Sequence, residues 1–188
     1  MSVESIQTVR QYLTFNLEKE LYALDIGQVQ SVLDYERVTK VPRTPDFMRG
    51  VINLRGSVVP IADLKQKFGM GQTEKTLDSC IIIVEVTVDE EVTVLGTLAD
   101  SVQEVIELEP DSIEPAPKIG TRLNTEFIKG MGKKGDEFII LLDLEKIFSV
   151  DELILAKEIG DDDSTEPVGK SPARKTGKRT KKSAEAVA

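Results

Sequence analysis

Residues 44–69, TPDFMRGVINLRGSVVPIADLKQKFG, set β-branched residues between closely spaced turn glycines and prolines, with one arginine between Leu54 and Gly56. That order predicts a rigid β-hairpin: residues 50–54 and 57–61 as its strands and Arg55-Gly56 as its turn. Proline cannot donate to a sheet ladder, so the strand holding Pro60 is expected at a sheet edge or bulged at that point.

Similar short runs recur along the 188 residues. Residues 11–17 (QYLTFNL) alternate in period two, and 21–26 (LYALDI) nearly do. Residues 80–86, 91–99, 102–107 and 137–143 read as further strands between Gly, Pro, Asn and Asp. A low aromatic content of 5% and the absence of Trp leave a core of Val, Ile and Leu. Many short strands with few long helices predict a mainly β chain built as small barrels.

Three segments look helical. Residues 45–49 make at most a short turn from Pro45 to Gly50, and residues 62–68 place Leu64 and Phe68 on one helical face. In residues 149–159, Ser149 suits a cap, Asp151 and Glu152 the first turn, and Leu153, Ile154 and Ala156 follow. Residues 1–159 therefore form the folded domain. The basic tail 160–188 has no apolar periodicity and is expected to be disordered. No solenoid-type repeat is visible.

Composition narrows the chemistry. Histidine is absent, which removes the commonest general base and metal ligand. Cys80 is the lone cysteine, lies in the apolar run CIIIVEV and reads as plain core. No calcium loop is present, and Gly130-Met131-Gly132-Lys133 is a weak, turn-like match to a phosphate cradle. The carboxylates at Asp78, Glu90, Glu91 and Asp161–Asp163 sit in no motif that would shield them, and read as solvated surface. Neither enzyme chemistry nor a cofactor or metal is expected. The N-terminus has no secretory pattern and no apolar run approaches a membrane span, so a cytoplasmic location is expected.

Charge is uneven. From Gly160 onward there are seven basic and five acidic residues, which leaves −11 on the preceding residues of a chain with net charge −9. An acidic body argues against nucleic-acid binding by the folded part. The basic stretch 170–182 could serve as a solubilising extension or steer the chain to an acidic surface, but it has no aromatic residue to stack on bases.

Two sets could make contacts. No turn type requires arginine, so Arg55 is either solvated, ion-paired with a neighbour such as Asp63, or a donor fork offered to a partner. Ile26, Val29 and Val32 recur at three-residue spacing around Gly27, as core or as an apolar patch for a partner helix tip.

The series P-x-F-x-x-G-V-I-N-L-R-G…V-P-I-x-D-L, together with QYLTFNL, LYALDIGQVQSV, LADSVQEVIEL, SIEPAP, FIKGMG and FIILLDLEKIF, resembles the bacterial chemotaxis coupling proteins, the CheW family. The resemblance runs from about Gln11 to Ile159. It implies two SH3-like β-barrel subdomains around a shared hydrophobic core. It also implies a non-enzymatic adaptor joining chemoreceptor cytoplasmic tips to the chemotaxis histidine autokinase, in the flagellar or another chemosensory pathway. Carried over residue by residue, the receptor groove implies Ile26, Val29, Arg55, Leu98, Val102 and Val105. Kinase contacts are implied at Met48, Arg49 and Gly50, with a weaker one at Glu114 and Ile119. The chain departs from the family pattern at Ser31, where a glutamate is common, and in its basic tail.

Overall fold

The computed structural model describes residues 8–116 and 125–161. The tail beyond Asp161 and Ile119 lie outside the described residues.

The strands are β1 (Arg10–Leu17), β2 (Glu20–Asp25), β3 (Val29–Asp34), β4 (Met48–Leu54), β5 (Ser57–Asp63), β6 (Cys80–Val88), β7 (Glu91–Ala99), β8 (Ser101–Leu108), β9 (Ile128–Lys134) and β10 (Glu137–Leu142). Helices α1 (Leu64–Lys67) and α2 (Leu144–Ile147) are single turns, and α3 (Val150–Asp161) is longer. One five-stranded sheet runs β8-β1-β2-β10-β9, here barrel A; the other runs β3-β6-β7-β5-β4, here barrel B. Each curls until its outer strand meets the chain leaving the opposite edge, at Glu114↔Met131 in A and Thr39↔Val51 in B. The mainly β, two-barrel expectation is met.

Period-two alternation explains the unusually apolar strands, because both of their faces are buried. In β6, Ile81 and Ile83 fill barrel B, whereas Cys80, Ile82, Val84 and Val86 face the core shared by both barrels. In β10, Ile139 and Leu141 fill barrel A while Leu142 joins the shared core, with half-buried Ile140 packed against it. Strand β2 does the same with Leu21 and Ala23 against Tyr22 and Leu24.

The strand pairings reveal an internal duplication. Hairpin β1–β2, strand β3, hairpin β4–β5 and α1 recur in order as hairpin β6–β7, strand β8, hairpin β9–β10 and α2. Phe47, Gly50, Asp63, Leu64 and Phe68 recur at the same spacing as Phe127, Gly130, Asp143, Leu144 and Phe148. The two copies are swapped. Barrel A joins the first hairpin of copy one to the later strands of copy two, and barrel B does the converse. A polar clamp ties them: Lys65 of α1 lies 3.3 Å from Asp100 and 3.8 Å from Glu18.

Three local expectations are corrected. Ile26, Val29 and Val32 do not form one stripe: Ile26 lies in a short 3₁₀ turn, and half-buried Val29 and exposed Val32 belong to strand β3, which carries a bulge between Val29 and Ser31. The Gly130-Met131-Gly132-Lys133 stretch is strand β9, and Gly130 and Gly132 are buried there. Strand β5 is internal in its sheet, yet its pairing with β7 begins only at Ile61. Beside Pro60 that flank is covered by the end of α3, where a Cβ on Gly160 would stand 3.2 Å from the Val58 carbonyl and 4.0 Å from Pro60 Cδ. The missing donor therefore costs no ladder bond to β7. The cap of α3 is as expected: Ser149 Oγ accepts from Glu152 N–H at 3.2 Å, and Glu152 Oε2 accepts from Ser149 N–H at 2.9 Å.

Candidate functional site

The β4–β5 turn is tight, with Leu54 opposite Ser57 and only Arg55 and Gly56 between them. Both turn residues have positive φ, 53° for Arg55 and 86° for Gly56, as a type I′ turn requires. Asn53 Oδ1 accepts from Gly56 N–H at 3.0 Å and locks the bend. A left-handed backbone costs a non-glycine residue about 1 kcal/mol, so arginine is kept here against the local preference of the chain. Its guanidinium is exposed and has no ion pair among the described residues. The alternative pairing with Asp63 does not occur, because Asp63 is fully buried and bound to Arg49 at 2.9 Å.

Arg55 lines one concavity with Gln30 of β3, Val92 and Val94 of β7, and Ala156, Lys157 and Gly160 of α3. Ile26, Val29 and Val102 are half-buried and rest on the shared core from the flanks of the two sheets. Asp25 Oδ1 accepts from Gly27 N–H at 2.9 Å, which fixes the turn presenting Ile26. Val105, on edge strand β8, is 47% exposed. Ile26, Val29 and Val102 thus share the edge of one core, and the Arg55 cation stands exposed at a hairpin tip. Leu98 is different: it is fully buried among Ile61, Ile81 and Ile83 inside barrel B and offers no surface to a partner.

The second set divides likewise. Met48 is buried in the shared core, and Gly50 is buried against the Thr39 carbonyl. Arg49 is mostly enclosed, donating to Asp63, to the Thr73 carbonyl at 3.2 Å and to Tyr35 at 3.3 Å. Met48 and Gly50 are thus framework, not direct contacts, because the β4 bulge turns them inward. Glu114 is exposed, its backbone paired with Met131. Sequence reasoning missed Gln30, whose only signal is its place beside Val29.

No group of three or more potential metal ligands gathers among the described residues. Nor is any described helix long and apolar enough to cross a membrane. Cys80 is buried as expected, paired with Asp34 across β3 and within reach of the Val102 N–H. Burial first, then the Asp34 charge, pushes its thiol up to about 11. Below about pH 9 folded and unfolded chains both hold that proton; between about 9 and 11 only the unfolded chain releases it. Stability should therefore fall with rising pH across this window, by about 2–3 kcal/mol more than in Cys80→Ala. Parallel denaturant titrations at pH 8.5 and 11 measure the difference; equal losses in both proteins would place the thiol elsewhere.

The model of the CheW-like domain matches residues 11–152. The chemotaxis protein CheW of Klebsiella aerogenes is 37% identical over 150 residues, 80% of this chain and 88% of its own length. That of Thermotoga maritima is 32% identical over 146 residues, 78% of this chain and 90% of its own. The crystal structure of the scaffolding protein TtCheW from Thermoanaerobacter tengcongensis superposes with a TM-score of 0.67 at 39% identity, covering 81% of this chain and 96% of that one.

Proposed function

The chain belongs to the CheW-like family, and from that premise we propose that it couples chemoreceptor cytoplasmic tips to a chemotaxis histidine autokinase in the cytoplasm. It is a chemotaxis scaffold and not an enzyme. The observation that carries the finer reading is Arg55: an exposed guanidinium, without an ion pair among the described residues, held at positive φ on a rigid tip. A non-glycine residue held in the left-handed region, with no ion pair among the described residues, is explained by what it offers outside the fold.

In this reading a receptor helix lies along Ile26, Val29, Val102 and Val105, and Arg55 donates to a backbone carbonyl or carboxylate on it. Leu98 shapes barrel B behind that surface. Glu114 belongs to the kinase face, while Met48, Arg49 and Gly50 serve it by holding β4 in place. Ser31, half-buried on β3, brings no charge to the receptor flank.

Arg55→Gly separates contact from fold, because glycine is at home in the turn. It should leave stability equal or raise it by up to about 1 kcal/mol, yet weaken co-sedimentation with receptor-bearing membranes at least tenfold, as for a hot-spot arginine. Undiminished co-sedimentation would remove Arg55 from the receptor contact.

A further inference from the structure

Helix α3 delivers the chain to the Arg55 surface. Its last two residues, Gly160 and Asp161, line the same concavity as Leu54, Arg55, Ser57 and Val58 of the β4–β5 hairpin. A Cβ on Gly160 would stand 3.2 Å from the Val58 carbonyl. Val58 directly follows Ser57, whose pairing with Leu54 closes the turn that carries Arg55.

The charges of this concavity are satisfied except one. Lys157 donates to Glu91 at 2.9 Å, a bond that raises its ammonium and lowers the Glu91 carboxyl. The Asp161 charge raises that ammonium further. On the β3 side, Gln30 donates to Glu85. Arg55 is the lining cation with no ion pair among the described residues. Beyond Asp161 the sequence runs Asp162, Asp163, Ser164, Thr165, Glu166, and the first basic residue is Lys170. Two extended residues span at most about 7 Å, so Asp163 starts within reach of the hairpin that α3 already touches. So short a tether holds its carboxylate at an effective concentration on the order of millimolar, and a guanidinium fork is its natural partner.

We propose that the acidic segment 162–166 folds back onto Arg55, pairing its guanidinium with the carboxylate of Asp162 or Asp163, and so competes with the acceptor that a partner would bring to it. The contact within the chain stands by itself, whereas its effect on receptor binding rests on Arg55 being a receptor contact.

The test uses the full-length ¹⁵N-labelled chain carrying Asp162→Asn, Asp163→Asn and Glu166→Gln together, which keep side-chain shape and remove charge. The amides of Gly56 and Ser57 should shift, and about 0.5 M salt should move the wild-type amides the same way. Arg55→Gly should in turn move the amides of Asp162 and Asp163. In co-sedimentation with receptor-bearing membranes the triple variant should bind about two- to fivefold more tightly, as the loss of one exposed ion pair allows, and the gain should vanish in the Arg55→Gly background. Undiminished co-sedimentation of Arg55→Gly would strike the receptor reading alone, because the amide shifts decide the fold-back. Three results would overturn the fold-back: Gly56 and Ser57 amides unchanged in the triple variant, shifts there that are as large in the Arg55→Gly background, or shifts confined to the 89–91 turn, which would place the basic stretch 170–182 on that turn instead.

Discussion

Replacing Asp63 with alanine should destabilise the protein by about 3–5 kcal/mol, the range for removing one partner of a buried ion pair. The carboxylate is fully buried and every acceptor position is used. Oδ2 accepts from Arg49 at 2.9 Å and from Thr73 N–H at 2.8 Å. Oδ1 accepts from the Thr73 hydroxyl at 2.8 Å and from Lys65 N–H at 3.1 Å, capping α1. One side chain thus joins the end of β5, the β4 bulge, α1 and the loop before β6. Alanine would leave an enclosed guanidinium and three other donors without their acceptor. The duplication supplies the control: among the described residues Asp143, the second copy's counterpart, makes no capping bond and its carboxylate meets only Lys146, at 3.8 Å. Asp143→Ala should cost less than about 1 kcal/mol. Urea titrations of both variants check the contrast, and comparable losses would refute it. Arg49→Ala should likewise fail through folding, so lost kinase binding in that variant would not identify a contact.

Gly50→Ala should be as severe, on the order of 3–5 kcal/mol from backbone strain and overpacking combined. The φ of Gly50 is 137°, and an added Cβ would stand 2.0 Å from the Thr39 carbonyl oxygen. The obstruction is backbone, so no side chain can swing aside. The same approach closes barrel B, where Thr39 and Val51 exchange two N–H···O bonds of 2.8 Å. At Gly130 the Cβ would meet the Ile113 side chain at 2.5 Å and the Glu114 carbonyl at 3.0 Å. A side chain can give way, so Gly130→Ala should cost roughly 1–3 kcal/mol. Hydrogen exchange at the Val51 amide reports the loss directly: it should speed up in Gly50→Ala well before global unfolding. An unchanged Val51 amide would mean that the barrel closes by other means.

Most strands were legible because two-sided burial leaves a dense apolar run between turn residues, as in CIIIVEV and FIILLDL. Strand β3 was not, since its bulge between Val29 and Ser31 breaks the alternation and the remaining spacing mimics a helix. Strand β9 was hidden by its glycines, which are there because neighbours approach the backbone closely. The duplication was hidden too, because the copies share few identical residues and exchange their hairpins. At the site, Arg55 stood out because no turn rule asks for arginine. The burial of Leu98, Met48 and Gly50 could not be read, because period two does not say which face looks outward. Nor does the sequence distinguish Asp63, buried under Arg49, from the half-buried Asp143 that follows the same local pattern.

The most direct test of the coupling role is kinase autophosphorylation with receptor-bearing membranes, purified kinase, and either the wild-type chain or Arg55→Gly. The wild-type chain should recruit the kinase and change its activity, and Arg55→Gly, folded and as stable, should do neither at the same concentration. Equal activity with both proteins, or no response to either, would contradict it.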